Sequence, residues 1–307
     1  MSPGRAPAPT PGGAAPDAPA DACPALHVER LLSGPPGATT AAVPLVALHG
    51  FTLDSAGWQP LTRHLPADRP VFGVDLPGHG HSPASTDPRA YTMAAAVSGA
   101  ARALAAHGVP TAHWLGYSMG GRVALSLALS RPRACASLVL VGASPGLADA
   151  SEREKRVRAD EALAEELQRV PLEAFVDRWL AQPVFAGLAR LGPAHIAAAR
   201  ARRLRSDPAG LARSLRGMGT GAMPPLWDRL GQVAMPVLLV TGALDAKFTA
   251  IADRMNALLP HARHLVIPDC GHAVHEESPA ALAAAVTAFL QSADRAPRSA
   301  SLAPPQA

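Results

Sequence analysis

A serine between two glycines stands where a predicted strand gives way to a predicted helix. Residues 116–120 read Gly-Tyr-Ser-Met-Gly, with an apolar run before them and an alanine- and leucine-rich run directly after them. This Gly-x-Ser-x-Gly pattern is typical of a nucleophile elbow, a strained turn that exposes the serine hydroxyl at the end of a sheet. A Cβ at Gly116 or Gly120 would crowd the neighbouring strand or helix. We therefore predict that Ser118 is a catalytic serine, the alternative being an ordinary tight turn.

Two further residues that could act with Ser118 follow predicted strands later in the chain. Asp245 comes after the apolar residues 236–240 through a glycine turn, and His272 comes shortly after the predicted strand 264–267. The carboxyl ends of parallel strands share one edge of a sheet, where the sites of α/β folds lie. The order Ser, Asp, His is that of the α/β-hydrolase triad. In that triad the histidine takes the serine proton, and the aspartate fixes the histidine tautomer.

Other roles are open to the acid and the histidine. Asp245 could cap the helix that follows it, and His272 could serve only to order its loop. The nearest substitutes for the two residues are Asp269 and His275. The order of the three residues and their places at strand ends favour the triad of Ser118, Asp245 and His272.

An oxyanion hole is predicted beside Ser118. The apolar residues 43–48 form a strand that ends in His49-Gly50-Phe51. A His-Gly turn after an early strand is where α/β-hydrolases place half of their oxyanion hole. The donors would be the backbone N–H groups of Phe51 and of Met119, the residue after the serine. We interpret His49 as a residue that orders this turn, because the backbone supplies the donors.

The elements around these residues alternate between strand and helix, which predicts an α/β-hydrolase fold with a mostly parallel central sheet flanked by helices. Apart from the strand that ends at the elbow, strands are predicted at 27–32, 43–48, 71–74, 138–141, 236–240 and 264–267. Helices of this core are predicted at 55–65, 92–107, 119–130, 250–259 and 279–291. The core therefore covers residues 25–145 and 226–293.

Residues 146–225 differ from the core in composition and in predicted secondary structure. Charged residues are denser there than in the core, and no strand-like run interrupts four predicted short helices at 150–170, 171–181, 194–205 and 208–216. Because this segment lies between two strands of the sheet, we predict an inserted helical lid over the elbow. Residues 1–24 are rich in proline, alanine and glycine, and they and residues 294–307 are expected to be disordered tails.

Composition excludes several classes of protein. No apolar run approaches the ~20 residues of a membrane span, and the first 24 residues lack the apolar region of a signal peptide. The 3 cysteines lie far apart, which suits a reducing compartment and argues against a zinc site or disulfides. We therefore predict a cytoplasmic protein without membrane insertion. The net charge of +4 comes without a Lys/Arg block, so nucleic-acid binding is not expected. The oligomeric state is left open.

Two cations lie close to the predicted triad. Arg122 is four residues after Ser118, on the same face of the elbow helix, and Lys247 is two residues after Asp245. A hydrolase for neutral esters has no evident need of a guanidinium there. A cationic pocket would imply a small-molecule substrate with several carboxylates, held by charge-assisted hydrogen bonds. The alternative for each cation is a surface charge or a structural ion pair.

A second cluster of polar residues follows the predicted strand 71–74. Asp75, His79 and His81 could suggest a metal site. The density of proline and glycine between them favours a rigid loop instead.

The chain resembles the 2-succinyl-6-hydroxy-2,4-cyclohexadiene-1-carboxylate synthases of menaquinone biosynthesis over residues 43–290. The most specific matches are Gly-Tyr-Ser-Met-Gly-Gly-Arg, Gly-Ala-Ser-Pro-Gly-Leu, Trp-Leu-Ala-Gln-Pro-Val-Phe, Ser-Leu-Arg-Gly-Met-Gly-Thr-Gly and Asp-Ala-Lys-Phe, at 116–122, 142–147, 179–185, 214–221 and 245–248. A generic hydrolase would share the elbow and the triad but not the sequence motifs in the insertion.

The resemblance implies an elimination of pyruvate rather than a hydrolysis, with Ser118 acting as a base that His272 activates. It implies that no metal or organic cofactor is needed. It also implies a set of residues that line the substrate pocket, namely Tyr117, Arg122, Arg156, Trp179, Arg200 and Lys247. One alternative is a serine hydrolase, either a carboxylesterase or a C–C bond hydrolase, acting on an acidic substrate. Another is a binding protein on a hydrolase fold that has lost its activity.

Overall fold

A computed structural model of the chain describes residues 23–34 and 42–295. Seven strands form one sheet in the order β1-β3-β2-β4-β5-β6-β7. β1 pairs with β3 in antiparallel fashion, and the other neighbours are parallel. This confirms the predicted, mostly parallel sheet. The strands are β1 Val28–Leu32, β2 Leu45–Leu48, β3 Val71–Val74, β4 Ala112–Tyr117, β5 Cys135–Val141, β6 Val237–Gly242 and β7 Ala262–Ile267.

The apolar strands lie in the middle of the sheet. Every residue of β2, β3, β4 and β6 is buried, as a parallel sheet covered on both faces requires. The edge strands β1 and β7 are partly exposed. The strands predicted at 43–48 and 236–240 are therefore central, and those at 27–32 and 264–267 are the edges.

Helices cover both faces of the sheet. α2 (Met93–Ala106), α3 (Met119–Ser130) and α8 (Ala246–Leu258) bury apolar side chains against one face. α1 (Gln59–Thr62), α9 (Val274–Glu277) and α10 (Pro279–Arg295) do so against the other. The elbow serine thus lies between a buried central strand and a buried helix, which hold its backbone from both sides.

Two predicted helices differ from the structure at their starts. Instead of a helix over 55–65, a 3₁₀ turn at Ser55–Trp58 leads into the short α1. Pro60 has no N–H to donate to the carbonyl of residue 56, so a continuous helix cannot form there. α8 begins at Ala246 rather than at residue 250, because the Asp245 side chain caps it.

The insertion between β5 and β6 is helical, as predicted. Its helices are α4 Ala150–Arg169, α5 Leu172–Leu180, α6 Pro193–Arg203 and α7 Pro208–Met218, and a 3₁₀ segment at Pro183–Leu191 was not predicted. Side chains of α4, α5 and α7 form a small core of their own. Phe51 and Trp179 pack against that core, which ties the insertion to the loop after β2.

The chain ends lie partly outside the described residues. The predicted tails at 1–24 and 294–307 fall outside them except for residues 23–24 and 294–295, and residues 35–41 are also outside. Cys23 is buried, and α10 runs two residues past the expected core boundary at 293. The reason is that the Asp294 carboxylate accepts hydrogen bonds from Arg69 at 3.0 Å and from the His113 ring at 3.0 Å. None of the described helices is long and apolar enough to cross a bilayer.

Candidate active site

Ser118 lies on a sharp turn between β4 and α3. Its φ of 50° and ψ of −106° are values that residues with a side chain rarely adopt. A Cβ on Gly116 would lie 2.5 Å from the Gly120 carbonyl oxygen, and one on Gly120 would lie 2.2 Å from the Leu48 carbonyl oxygen. Both glycines are therefore required by close packing, as the sequence predicts. The Ser118 N–H donates to the Val141 carbonyl at 2.9 Å, which anchors the turn to β5.

Asp245 and His272 meet at the carboxyl ends of β6 and β7. The His272 Nδ1 lies 2.7 Å from Asp245 Oδ2, and both side chains are largely buried. The other oxygen, Oδ1, accepts the Phe248 N–H at 3.3 Å and caps α8. The capping role and the partnership with histidine are thus compatible, because each uses a different oxygen. When Nδ1–H donates to a carboxylate, Nε2 is left to accept a proton.

The nearest substitutes for these two residues are placed differently. Asp269 is exposed and has a positive φ of 51°, and its carbonyl accepts from Arg190. His275 is buried between the rings of Trp58 and Tyr117, and burial lowers its pKa to about 4. Neither residue lines the cavity in front of Ser118, whereas His272 does.

The loop after β2 and the start of α3 present two backbone donors. The N–H groups of Phe51 and Met119 have no acceptor in the part of the chain that is described, and both residues line the same cavity as Ser118. His49 holds this loop. Its Nδ1 donates to the Gly50 carbonyl at 2.8 Å, and its Nε2 accepts the Leu76 N–H at 2.9 Å. Burial lowers the pKa of His49, which keeps the ring neutral as these bonds require. These contacts match the predicted ordering role.

A cavity of about 270 Å³ lies between the elbow and the insertion. Ser118 and His272 are at its base, and it is lined by four cationic side chains and no carboxylate among the described residues. Three of the cations, Arg122, Arg156 and Lys247, are those that the resemblance implies. The fourth is Arg203. Tyr117 and Trp179 also line the cavity, as expected, together with Gln182, Ser144, Ser214 and Thr220.

Arg122 is fixed within the cavity wall. Its guanidinium donates to the Met218 carbonyl at 2.5 Å, which joins α3 to the end of α7. Burial, and next the charge of Arg156, lower the pKa of Arg122 to about 10. The group therefore remains cationic at neutral pH. Arg156 donates to Asp160 at 2.7 Å, and Asp160 is buried.

Arg200 is not brought to the cavity, and this corrects the predicted pocket. Its guanidinium forms two hydrogen bonds with the exposed Asp177, at 2.5 and 3.1 Å. Arg203, one turn further along α6, is 1% exposed and lines the cavity instead. Ala199 is buried and lies four residues before Arg203, so both share the inner face of the helix.

The loop after β3 is organised by Asp75. Its carboxylate accepts the N–H groups of Ser55 at 2.7 Å and of His81 at 2.8 Å. Side-chain atoms of His27, Asp75 and His81 lie within 4.8 Å of one another, while His79 is turned to the Pro77 carbonyl. Burial would raise the pKa of Asp75, but His49 and the backbone donors outweigh it and lower that pKa. These contacts favour the rigid-loop interpretation over the metal site.

Comparison with known proteins agrees with this geometry. Residues 43–279 match the family model described as the alpha/beta hydrolase fold. A Bacillus subtilis (strain 168) protein, provisionally named 2-succinyl-6-hydroxy-2,4-cyclohexadiene-1-carboxylate synthase, is 39% identical over 81% of this chain and 90% of its own. The synthase of that name from Serratia proteamaculans (strain 568) is 35% identical over 80% of this chain and 92% of its own.

A solved structure gives the same result. MenH from S. aureus superposes with a TM-score of 0.80 and 30% identity, covering 87% of this chain and 98% of its own. The match thus extends over the sheet, the elbow and the insertion together. The chain belongs to the 2-succinyl-6-hydroxy-2,4-cyclohexadiene-1-carboxylate synthase family, within the α/β-hydrolase fold.

Proposed function

We propose that the chain is a carbon–oxygen lyase of menaquinone biosynthesis. It eliminates pyruvate from 2-succinyl-5-enolpyruvyl-6-hydroxy-3-cyclohexene-1-carboxylate to give 2-succinyl-6-hydroxy-2,4-cyclohexadiene-1-carboxylate. The observation that carries the proposal is the cavity in which Ser118 and His272 lie among four cations and no carboxylate of the described lining residues. The family relatives of that name support the same reaction.

The charge of the cavity matches the charge of the substrate. The substrate carries a ring carboxylate, a succinyl carboxylate and an enolpyruvyl carboxylate. Four cations line the cavity, and each comes from a different helix. They are Arg122 of α3, Arg156 of α4, Arg203 of α6 and Lys247 of α8. Charge-assisted hydrogen bonds from guanidinium groups hold carboxylates in a fixed orientation. A neutral ester offers no carboxylate to these cations, so the cavity favours polyanions.

The reaction needs a base near the ring carbon that bears the succinyl group. The proton on C2 is acidified by the adjacent succinyl carbonyl. Ser118 Oγ takes this proton while its own proton passes to His272, and Asp245 stabilises the imidazolium. The C2–H electron pair becomes the C2=C3 bond, the C3=C4 pair moves to C4=C5, and the C5–O bond breaks. Enolpyruvate departs and becomes pyruvate on protonation. No acyl-enzyme forms, because no acyl bond is cleaved.

The oxyanion hole serves the same step. Negative charge develops on the succinyl carbonyl oxygen as the C2 proton leaves. The N–H groups of Phe51 and Met119 would donate to that oxygen, and donors that are already in place cost no reorganisation.

The insertion, residues 146–225, acts in this proposal as a lid that supplies Arg156, Trp179 and Arg203 to the cavity wall. The indole N–H of Trp179 is buried without a protein acceptor among the described residues, so it is a further donor for the substrate.

The deciding experiment is pyruvate release from 2-succinyl-5-enolpyruvyl-6-hydroxy-3-cyclohexene-1-carboxylate, followed with a pyruvate-consuming dehydrogenase. A nitrophenyl ester is tested in parallel, and Ser118→Ala is the control for both reactions. Fast pyruvate release that depends on Ser118, with slow esterolysis, supports the lyase. Fast esterolysis without pyruvate release would reject it in favour of a serine hydrolase for an acidic substrate.

A further inference from the structure

We infer that Glu277 is a positioning residue for His272, and that Arg190 couples this position to the insertion. The inference rests on the proposed role of His272 as the proton acceptor of Ser118. Glu277 lies five residues after His272, at the end of the short helix α9. Its side chain is 2% exposed, although it has no place in the cavity lining.

A single carboxylate holds the backbone on both sides of the histidine. Glu277 Oε2 accepts the Gly271 N–H at 2.8 Å, and Oε1 accepts the Ala273 N–H at 3.2 Å. The His272 side chain branches from the backbone between these two donors. Its ring must keep a 2.7 Å bond to Asp245 while it also serves Ser118. A shift of the loop would move the ring away from Asp245, Ser118 or both. By holding the backbone on both sides of His272, the Glu277 carboxylate keeps the ring in place.

The cation that balances Glu277 comes from the insertion. Arg190, in the 3₁₀ segment Pro183–Leu191, donates to Glu277 Oε2 at 2.9 Å and to the Asp269 carbonyl at 2.8 Å. The Arg190 guanidinium therefore joins Asp269, at the start of the His272 loop, to Glu277, which holds the backbone on both sides of His272. A buried carboxylate needs such a partner or several hydrogen bonds, and Glu277 has both.

The contact between the segment and the carboxylate is close. A Cβ on Gly187 would lie 2.0 Å from Glu277 Oε2, so only glycine fits there while the carboxylate keeps its place. The same segment supplies Val184 and Phe185 to the cavity wall. The part of the insertion that meets the substrate cavity is therefore the part that holds the His272 loop.

The test compares Glu277→Gln, Arg190→Ala and Arg190→Lys with the wild-type chain. Glutamine has one carbonyl oxygen, so it can accept from one of the two backbone N–H groups and would face the other with its own NH₂. We expect a fall of about 10- to 100-fold in kcat, the scale of a small misplacement at a reacting centre, with KM within about threefold. Arg190→Ala should cause a smaller fall in kcat, and Arg190→Lys should restore part of it.

The second readout does not depend on the identity of the substrate. The rate at which a fluorophosphonate labels Ser118 reports how well His272 activates the serine. We expect this rate to fall with kcat in Glu277→Gln. Arg69→Ala is the matched control, because Arg69 is a buried ion-pair residue at the Asp294 end of the fold. It should lower Tm without lowering the labelling rate, measured well below each Tm.

Equal labelling rates in Glu277→Gln and the wild-type chain would overturn the positioning role, even if pyruvate release is confirmed. An equal loss of labelling in Arg69→Ala would also overturn it, because general destabilisation would then be the cause. Unchanged labelling and kcat in Arg190→Ala would overturn the coupling to the insertion. If the wild-type chain releases no pyruvate but labelling falls in Glu277→Gln, the lyase proposal fails and the positioning role stands.

Discussion

The carboxylate of Asp245 divides its two oxygens between His272 and the start of α8. Oδ2 lies 2.7 Å from His272 Nδ1, and Oδ1 accepts the Phe248 N–H at 3.3 Å. The residue therefore joins a helix cap to the contact that is proposed to be catalytic. This division allows the two roles to be separated by a single substitution, because asparagine is a good cap but a poor partner for an imidazolium.

Asp245→Asn should lower kcat for pyruvate release by about 10⁴-fold, as expected when the histidine is held in the wrong tautomer. Tm should change little, because asparagine caps helices as well as aspartate does. Pyruvate release and thermal unfolding are measured on the same preparation. A preserved kcat would mean that Asp245 serves only as the cap of α8.

The strands of the sheet, the elbow turn and the placement of Ser118, Asp245 and His272 after strands could be predicted from the sequence, because each depends on local signals. Buried parallel strands are apolar throughout, and the glycines of the elbow mark positions without room for a Cβ. Helical periodicity alone places the start of α8 at residue 250, because it does not register the Asp245 side chain that caps the helix at Ala246. A helix begins where its N–H groups find an acceptor, and Asp245 supplies one.

The cavity wall was harder to predict because it depends on how each helix of the insertion is rotated. Arginines stand at 200, 202 and 203 in α6 and at 205 just after it, and sequence alone does not say which one turns inward. The structure places Arg203 on the buried face with Ala199 and Arg200 against Asp177. Glu277 gave no sequence signal, because its partners are two backbone N–H groups and a distant arginine.

Ser118→Gly should stabilise the fold relative to Ser118→Ala. The φ of 50° at this position is strained for any residue with a Cβ, and such strain costs about 1–3 kcal/mol. Both variants should lose pyruvate release by about 10³-fold or more, since the triad acts as a unit. Urea unfolding of the two variants gives the comparison. Equal stabilities would mean that the elbow relaxes when the hydroxyl is absent.

Arg122→Ala should affect the polycarboxylate substrate far more than a neutral nitrophenyl ester. The guanidinium is buried beside Ser118 and stays cationic at neutral pH, with a pKa of about 10. We expect kcat/KM for pyruvate release to fall about 100-fold or more, and esterolysis to change by less than about threefold. Steady-state kinetics on both substrates provide the test. Equal losses on the two substrates would assign Arg122 to structure alone, through its bond to Met218.

Arg203→Lys and Arg200→Lys form a matched pair on α6. Lysine keeps the charge but cannot reproduce the planar fork of donors, so the Arg203 variant should raise KM by about tenfold or more. Arg200 lies outside the cavity and pairs with Asp177, so its variant should stay within about twofold of the wild-type KM. The opposite result would restore Arg200 as the substrate cation.

Stability should fall as the pH drops from about 6.5 to about 4, because His275 is held neutral in the fold. Burial lowers its pKa from 6.5 to about 4. Between these two pH values, His275 therefore binds a proton in the unfolded chain but not in the native chain. The free energy of unfolding is therefore highest, as far as His275 is concerned, above pH 6.5, and it falls as the pH drops towards 4. One group changes it by no more than about 1.4 kcal/mol per pH unit.

His275→Phe should flatten this dependence. Neither ring nitrogen of His275 has a hydrogen-bond partner among the described residues, so phenylalanine keeps the packing between Trp58 and Tyr117 and removes the titration. Urea unfolding at several pH values between 7 and 4 measures the slope. The exposed His64, changed to asparagine, is the control and should keep the wild-type slope. If His275→Phe also keeps that slope, the acid sensitivity belongs to other buried groups, such as His79, whose pKa burial lowers to about 3.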